Sequence, residues 1–269
     1  MAVGDGQELT SSGFRTAFRD VTRLTMIVFV HGVPESAALW DRLRANLDEE
    51  TMALSLPGFG CARPAGFGAT KDEYVSWLVA ELDRLGSPVD LVGHDWGAGL
   101  TYRIATAYGD RVRSWAADIA NVFHPKYVWH DFARIWQTPG DGERFFEDQR
   151  SAPVEATADL LEAFGVPHDD AVQMRSATDE TMAGCILDLY RSAMPNAYAD
   201  WGAELVPTRA PGLVLCPSDD PFGDEETSKE VAQMLGARHE TLPGLGHWWP
   251  VQDPETGASV LRTFHASIR

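Results

Sequence analysis

A carboxylate set on a glycine-bounded turn is the first group in this chain able to do chemistry. The run Gly93-His94-Asp95-Trp96-Gly97 follows a short stretch rich in β-formers (Val89, Leu91, Val92) and precedes a helical-looking run from Leu100 to Tyr108. A strand that turns sharply into a helix holds one side chain up at the bend, and glycines beside it leave space that Cβ atoms would fill. Asp95 occupies the tip, the nucleophile position of the Gly-x-nucleophile-x-Gly pattern. A carboxylate there can attack a saturated carbon that bears a leaving group and form an ester with the protein. Water must then cleave that ester, which needs a general base and donors to the tetrahedral oxyanion. Asp is also a common helix N-cap, but the glycine pattern after a buried strand favours the chemical role.

The other parts of such a machine are present in chain order Asp, Asp, His, the order this kind of elbow uses. His247 lies in Gly246-His247-Trp248-Trp249-Pro250, after the last expected strand, and is the candidate base. A third group must orient the imidazole and stabilise its charged form. Asp219 and Asp220 both follow the run that ends at Cys216. Asp220, directly before Pro221, is preferred; Asp219 reads as a turn residue, and Asp118 is a further alternative.

Positioning these groups takes a rigid scaffold, and the hydrophobic pattern describes one. Apolar runs at 24–30, 51–56, 89–92, 112–119 and 212–216 read as buried strands, with another near 239–242. Helical patterns fall at 40–47, 71–85, 225–235 and 255–268; in the second, Tyr74, Leu78, Leu82 and Leu85 share a face. Alternating strands and helices imply an α/β domain with a mostly parallel central sheet and helices on both faces. Ligands of such sheets gather at the carboxyl ends of the strands. The turns at 31–36, 57–60 and 94–97 should therefore converge. From 122 to 205 the rhythm changes to Trp, Phe, Met and acidic residues, with helical patches at 156–164 and 178–192. This segment is expected to be an inserted helical cap, with 1–121 and 206–269 forming the core.

Composition narrows the partners. The 269 residues, 44% hydrophobic and 23% charged, suit one large globular domain with an insertion. A net charge of −18 argues against nucleic acid and anionic membrane. It also makes an anionic substrate less favourable, although a local basic pocket could override the mean. Cys61, Cys185 and Cys216 share no metal-like spacing, so no metal or redox cofactor is expected. With no long apolar run and no signal-like start, a cytoplasmic protein is expected, either monomer or homodimer.

Four segments taken together carry a resemblance: His31-Gly32-Val33-Pro34-Glu35-Ser36, Leu56-Pro57-Gly58-Phe59-Gly60, Gly93-His94-Asp95-Trp96-Gly97 and Gly246-His247. They resemble the α/β-hydrolase superfamily, and within it the branch with an Asp nucleophile, the epoxide hydrolases and haloalkane dehalogenases. The resemblance covers about 24–119 and 212–269, and the intervening segment more loosely. It implies an α/β-hydrolase fold and a cofactor-independent hydrolase, with the backbone N–H groups of Val33 and Trp96 as the oxyanion hole. Dehalogenases of similar pattern usually carry Asn where this chain has Val33, whereas Pro34-Glu35-Ser36 looks like the epoxide hydrolases. The implied reaction is therefore the opening of a small apolar epoxide to a diol.

In the epoxide branch, cap tyrosines protonate the departing alkoxide. Leu189-Tyr190-Arg191 resembles the segment that holds one of them, which makes Tyr190 the candidate donor. The stretch 131–140 resembles the segment that holds the other, but the matching residue is Phe132. Either Tyr190 acts alone, or a group such as Tyr127, Tyr198 or His130 takes the second position, or the substrate is not an epoxide. His31, Phe132, Trp136 and Trp248 are expected to line the substrate site. A haloalkane dehalogenase using the same two steps is the alternative reading, followed by a ligand-binding member that does not hydrolyse. A fluoroacetate-type dehalogenase is disfavoured, because Trp96 and Leu100 stand near the elbow where arginines would hold a carboxylate.

Overall fold

The computed structural model describes residues 26–268, apart from the side chains of Tyr198 and Ala203. Leu24 and Thr25 of the first expected strand, and the Tyr198 side chain, thus lie outside the described residues. The core begins with β1 (Ile27–Val30), a 3-10 turn running into α1 (Asp41–Arg44), then β2 (Thr51–Leu54) and α2 (Lys71–Leu85). It continues with β3 (Val89–Gly93), α3 (Trp96–Ala107) and β4 (Val112–Ala117). A helical stretch follows: α4 (Asp131–Gln137), α5 (Asp141–Ser151), α6 (Val154–Ala163), α7 (His168–Ala177), α8 (Glu180–Ser192) and α9 (Ala197–Trp201). The chain then returns to β5 (Gly212–Pro217), α10 (Glu225–Leu235), β6 (Arg238–Leu242), α11 (Trp249–Gln252) and α12 (Pro254–Ala266).

The strands form one sheet in the order β2-β1-β3-β4-β5-β6, and every neighbouring pair is parallel. Side chains alternate across it with period two. Val28, Val30 and Leu91 pack with Tyr74, Leu78 and Tyr102 on one face. Ile27, Phe29 and Val92 pack with Trp40, Leu43, Trp249 and Leu261 on the other. With apolar layers on both faces, β1 and β5 read as continuous apolar runs, and β3 does so apart from the buried Asp90, which accepts from Ser114 and Arg113. β2 is a correction: expected to be buried, it is half-buried throughout and ends at Leu54, because it is an edge strand covered less completely. The other edge, β6, alternates between exposed and partly buried residues.

Helix boundaries follow local chemistry. α2 starts at a capping box, Thr70 with Glu73, and stops at Gly86 in the left-handed region. In the long insertion, α6 and α8 match the apolar patches expected there. By contrast α7 shows little apolar stripe, and in α5 charged residues outnumber the few apolar ones, Phe145 and Phe146, that form its narrow buried face.

The topology also creates the place for a site. From β1 the chain goes to β2 on one side and then crosses to β3 on the other. The crevice outside the carboxyl ends of β1 and β3 is therefore a switch point, where open α/β sheets take their ligands. Val30 pairs with Gly93 at that end, so the turn after β1 lies beside the turn after β3. Rings from the insertion reach the same place: Trp129 stacks on Trp96 at 6.1 Å, and Tyr190 meets Trp96 edge-on at 5.4 Å. No helix among the described residues is long and apolar enough to cross a membrane.

Candidate active site

Asp95 sits between β3 and α3 with φ 51° and ψ −119°, a conformation that costs a non-glycine residue about 1–3 kcal/mol. Close packing holds it there. A Cβ on Gly97 would overlap the Val30 carbonyl oxygen, and one on Gly93 would overlap the Gly97 carbonyl. The glycines thus let α3 start directly against β1. A Cβ on Gly32 would strike the Asp95 carboxylate itself.

The Asp95 carboxylate accepts the Val33 N–H at 2.8 Å, and the Trp96 N–H also bonds it. Both expected oxyanion donors thus converge on one carboxylate. The Nε2 atom of His247 lies 3.9 Å from the other oxygen of Asp95, close but not locked to it. On the far side of the ring, Nδ1 of His247 donates to Asp220 at 2.9 Å, which leaves the Nε2 lone pair facing Asp95. The second oxygen of Asp220 accepts the Phe222 N–H at 2.8 Å. Asp219, by comparison, is exposed and pairs with Ser218.

Asp118 is committed elsewhere. It accepts from Nδ1 of His94 at 2.6 Å, from the Asp95 N–H at 2.9 Å and from the Trp249 indole at 2.7 Å. Glu35 completes this frame by accepting the Gly32 N–H at 2.7 Å and the Trp248 indole at 2.8 Å. His94 lies between these two carboxylates. Burial opposes its charge, but Asp118 and Glu35 outweigh burial and hold it well above the ordinary imidazole range. The His94 ring is 4.7 Å from that of His247. Glu35, His94 and His247 bring possible ligand atoms within 4.8 Å of one another, but both oxygens of Glu35 are already taken by the Gly32 N–H and the Trp248 indole. Glu35 and His94 fall within the sequence motifs without a local mark of this role; their one signal is that two ionisable residues stand at the ends of otherwise apolar strands.

Burial pushes the Asp95 carboxyl up to about 6, with the charges of His247 and His94 pulling the other way. For His247, burial favours the neutral ring, yet the charge and hydrogen bond of Asp220 prevail and raise its pKa. Asp220 is correspondingly held low: burial opposes its charge, but His247 outweighs it.

Above the carboxylate is a cavity lined largely by aromatic side chains. Val33, Trp96, Phe132, Trp136, Tyr190 and Trp248 all border it, as do Asp95 and His247. His31 does not, which corrects the expectation that it contacts substrate. It is fully buried, Nδ1 donates to the Gly32 carbonyl at 2.8 Å, and Nε2 accepts the Leu56 N–H at 3.1 Å. Burial keeps it neutral by lowering its pKa to about 4. His31 therefore joins two turns instead of facing ligand.

Two phenols reach the cavity. Burial and the Asp95 charge raise Tyr190 well above its ordinary value, while the Trp96 indole bonds it and partly offsets them. Tyr127, half-buried, is raised by burial and by Asp95 and Asp220. Both stay protonated near neutrality and so remain donors. His130 also borders the cavity, but its Nδ1 caps α4 by accepting the Ala133 N–H at 3.2 Å. Burial, helped by His247, lowers its pKa to about 4.

Comparison with known proteins places this architecture. The profile of the alpha/beta hydrolase family matches residues 27–260. The chain belongs to that family. Its similarity to lipase LipV of Mycobacterium tuberculosis is 38% identity over 258 residues, covering 88% of this chain and 92% of that protein. It is 26% identical to epoxide hydrolase 3 of Xenopus tropicalis over 268 residues, covering 90% of this chain and 71% of the relative. A haloalkane dehalogenase of Mycolicibacterium smegmatis is 27% identical over 244 residues, covering 83% and 72%. This alpha/beta hydrolase thus has relatives named as a lipase, an epoxide hydrolase and a haloalkane dehalogenase.

Proposed function

We propose that this hydrolase opens an epoxide by attack of Asp95 and then hydrolyses the resulting ester. The observation that carries the reading is the convergence on one carboxylate of the Val33 and Trp96 N–H groups with the Nε2 atom of His247. In the first step Asp95 attacks an epoxide carbon, and Tyr190 gives its proton to the opening oxygen. In the second step His247 takes a proton from water as that water attacks Cγ of Asp95. Negative charge then develops on the oxygen already held by the Val33 N–H, with the Trp96 N–H bonded to the same carboxylate, so the donors need little reorganisation. The tetrahedral intermediate then breaks its bond to the diol oxygen, which takes the proton from His247, and the proton left on the Asp95 carboxyl returns to the Tyr190 phenolate. Asp220 keeps the His247 tautomer and stabilises the imidazolium. The helices between β4 and β5 act as the cap, carrying Tyr190 and the aromatic wall.

A carboxylate at the elbow supports this reading over a serine-type lipase mechanism, despite the similarity to LipV. Phenols at the cavity favour an epoxide over a halide, since an alkoxide needs a proton to leave and a halide does not. Tyr127 borders the cavity and feels Asp95, so it is the candidate second donor where Phe132 cannot serve. Tyr190→Phe is expected to slow release of diol from small apolar epoxides by about 10²–10³-fold, the scale of general acid catalysis. Tyr127→Phe should cost less. The same variants should leave any halide release from haloalkanes unchanged. Halide released by the wild type, with no diol from any epoxide, would select the dehalogenase reading.

The pH profile supplies a second check. Asp95 must be ionised to attack, and its acid limb is displaced up to about 6. His247 must be neutral to act as base, and Asp220 moves its titration above the ordinary imidazole value. Both shifts carry the loss of activity toward neutral pH, so kcat should fall as pH drops through the His247 titration. Asp220→Asn removes the carboxylate that raises His247 and should move that limb to lower pH while lowering its plateau. A limb unmoved by Asp220→Asn would exclude His247 as the titrating base.

A further inference from the structure

The same cavity is bordered by a buried cation that makes no contact with the elbow carboxylate. Arg175 of α7 is 7% exposed and borders the cavity together with Gln149 of α5 and Thr157 of α6. Its guanidinium donates from Nε to the Thr157 hydroxyl at 2.7 Å, from Nη2 to the Gln149 carbonyl and from Nη1 to the Thr178 carbonyl at 3.5 Å. All three acceptors are neutral. No carboxylate lies within ion-pair distance of Arg175 among the described residues, and the charge that acts on it most is the like charge of Arg150. No hydrogen bond or ion pair links it to Asp95, His247 or Asp220.

A buried charge without a partner is costly, and proteins ordinarily pair it. A chain with 40 acidic and 22 basic residues has no shortage of carboxylates to place there, yet none is placed. A guanidinium carries five N–H donors, and three are used here, so two remain. In an apolar cavity, the group that satisfies two donors of a guanidinium and also neutralises it is a carboxylate bound through both oxygens.

We propose that Arg175 is the anion-recognition point of the cavity, which selects substrates with an apolar body, the reactive carbon toward Asp95 and a carboxylate at the opposite end. This narrows the substrate class from apolar to amphiphilic, and it supplies the local positive charge that would override the net −18 of the chain. The apolar body faces the Trp and Phe wall and only the head group meets a charge. The reaction at Asp95 is taken from the proposed function, but recognition at Arg175 can be tested without it.

The probes are unreactive straight-chain alkanoates of four to ten carbons and the matching alkanamides, titrated calorimetrically at pH 8 into the full chain. At least one alkanoate is expected to bind about tenfold more tightly than its amide, the scale of one charge-assisted hydrogen bond. Arg175→Met should erase that preference while retaining amide binding, and Arg175→Lys should keep part of it. Equal affinity of alkanoates and amides for the wild type overturns the proposal, whatever the variants do. So does a Met variant that weakens both probes alike, because a guanidinium serving only to tie α5, α6 and α7 together would act that way. A carboxylate preference with no turnover of any epoxide leaves Arg175 as the anion site and removes the proposed reaction. Diol formation without that preference does the reverse.

Discussion

Asp95→Asn is expected to reduce turnover by at least about 10⁴-fold, as loss of a nucleophile does elsewhere, and to raise the melting temperature at pH 8. The two effects have one origin. The fold holds Asp95 at a positive φ with its carboxyl pushed up to about 6, so the ionised form is disfavoured relative to the unfolded chain. A raised carboxyl pKa contributes stability that is complete below the ordinary carboxylate value and is lost as pH rises through the folded value. At pH 8 the native protein therefore carries the full cost of ionising Asp95. Asn keeps the shape and an oxygen for the Val33 N–H but carries no charge. A gain of up to about 3 kcal/mol is the scale of such a shift, or several degrees for a chain of this size. The gain should vanish near pH 4, where Asp95 is itself neutral. Thermal melts of both proteins at the two pH values, beside a diol assay, decide the matter. An Asn variant that still forms diol, or melts lower at pH 8, would show that Asp95 is not the strained nucleophile proposed.

His247→Gln separates the two chemical steps. Ester formation needs Asp95 and a donor to the opening oxygen, and the imidazole takes no part in it. Ester hydrolysis needs a base at Nε2, which Gln lacks. The variant should release less than about one equivalent of diol and accumulate a covalent adduct, with deacylation slowed by about 10²–10⁴-fold. Intact-mass measurement should show a gain equal to the whole epoxide, because the ring opens without losing an atom. A haloalkane would add its mass less hydrogen halide, so the same spectrum reports which leaving group was used. Digestion should place the adduct on the peptide containing Asp95. A variant that turns over steadily with no adduct, while the wild type is active, rules out His247 as the base for the second step.

Much of the framework was legible because short-range signals and the long-range fold agree. The boundaries of α2 and α10 match their apolar stripes and caps, and the apolar runs of β1 and β5, with the largely apolar β3 and β4, are what a sheet buried on both faces requires. The glycines around Asp95 announced a close approach of α3 to β1, since only a residue without a side chain fits beside the Val30 carbonyl. β2 was misread because burial depends on position in the sheet, and an apolar tetrapeptide does not say whether it is central or at an edge. α5 and α7 were missed because their charged residues hide short apolar faces that only packing against neighbouring helices selects.

Side-chain assignment divides along the same line. The chain sequence by itself determined that a carboxylate stands at a strand-to-helix bend, that a histidine follows the last strand, and that an acid lies after β5. These are properties of neighbouring residues and of chain order. Which acid turns inward was decided by tertiary structure: Asp219 and Asp220 are adjacent, yet one faces solvent beside Ser218 and the other meets His247 at 2.9 Å. Asp118 likewise joined His94, and His31 spent both ring nitrogens on backbone groups. The burial of Arg175 without a counter-charge has no local signature either, because it arises only when α5, α6 and α7 come together. Local sequence sets what each group can do, whereas direction, partner and dielectric surroundings depend on residues far away in the chain, and those three fix charge and reach.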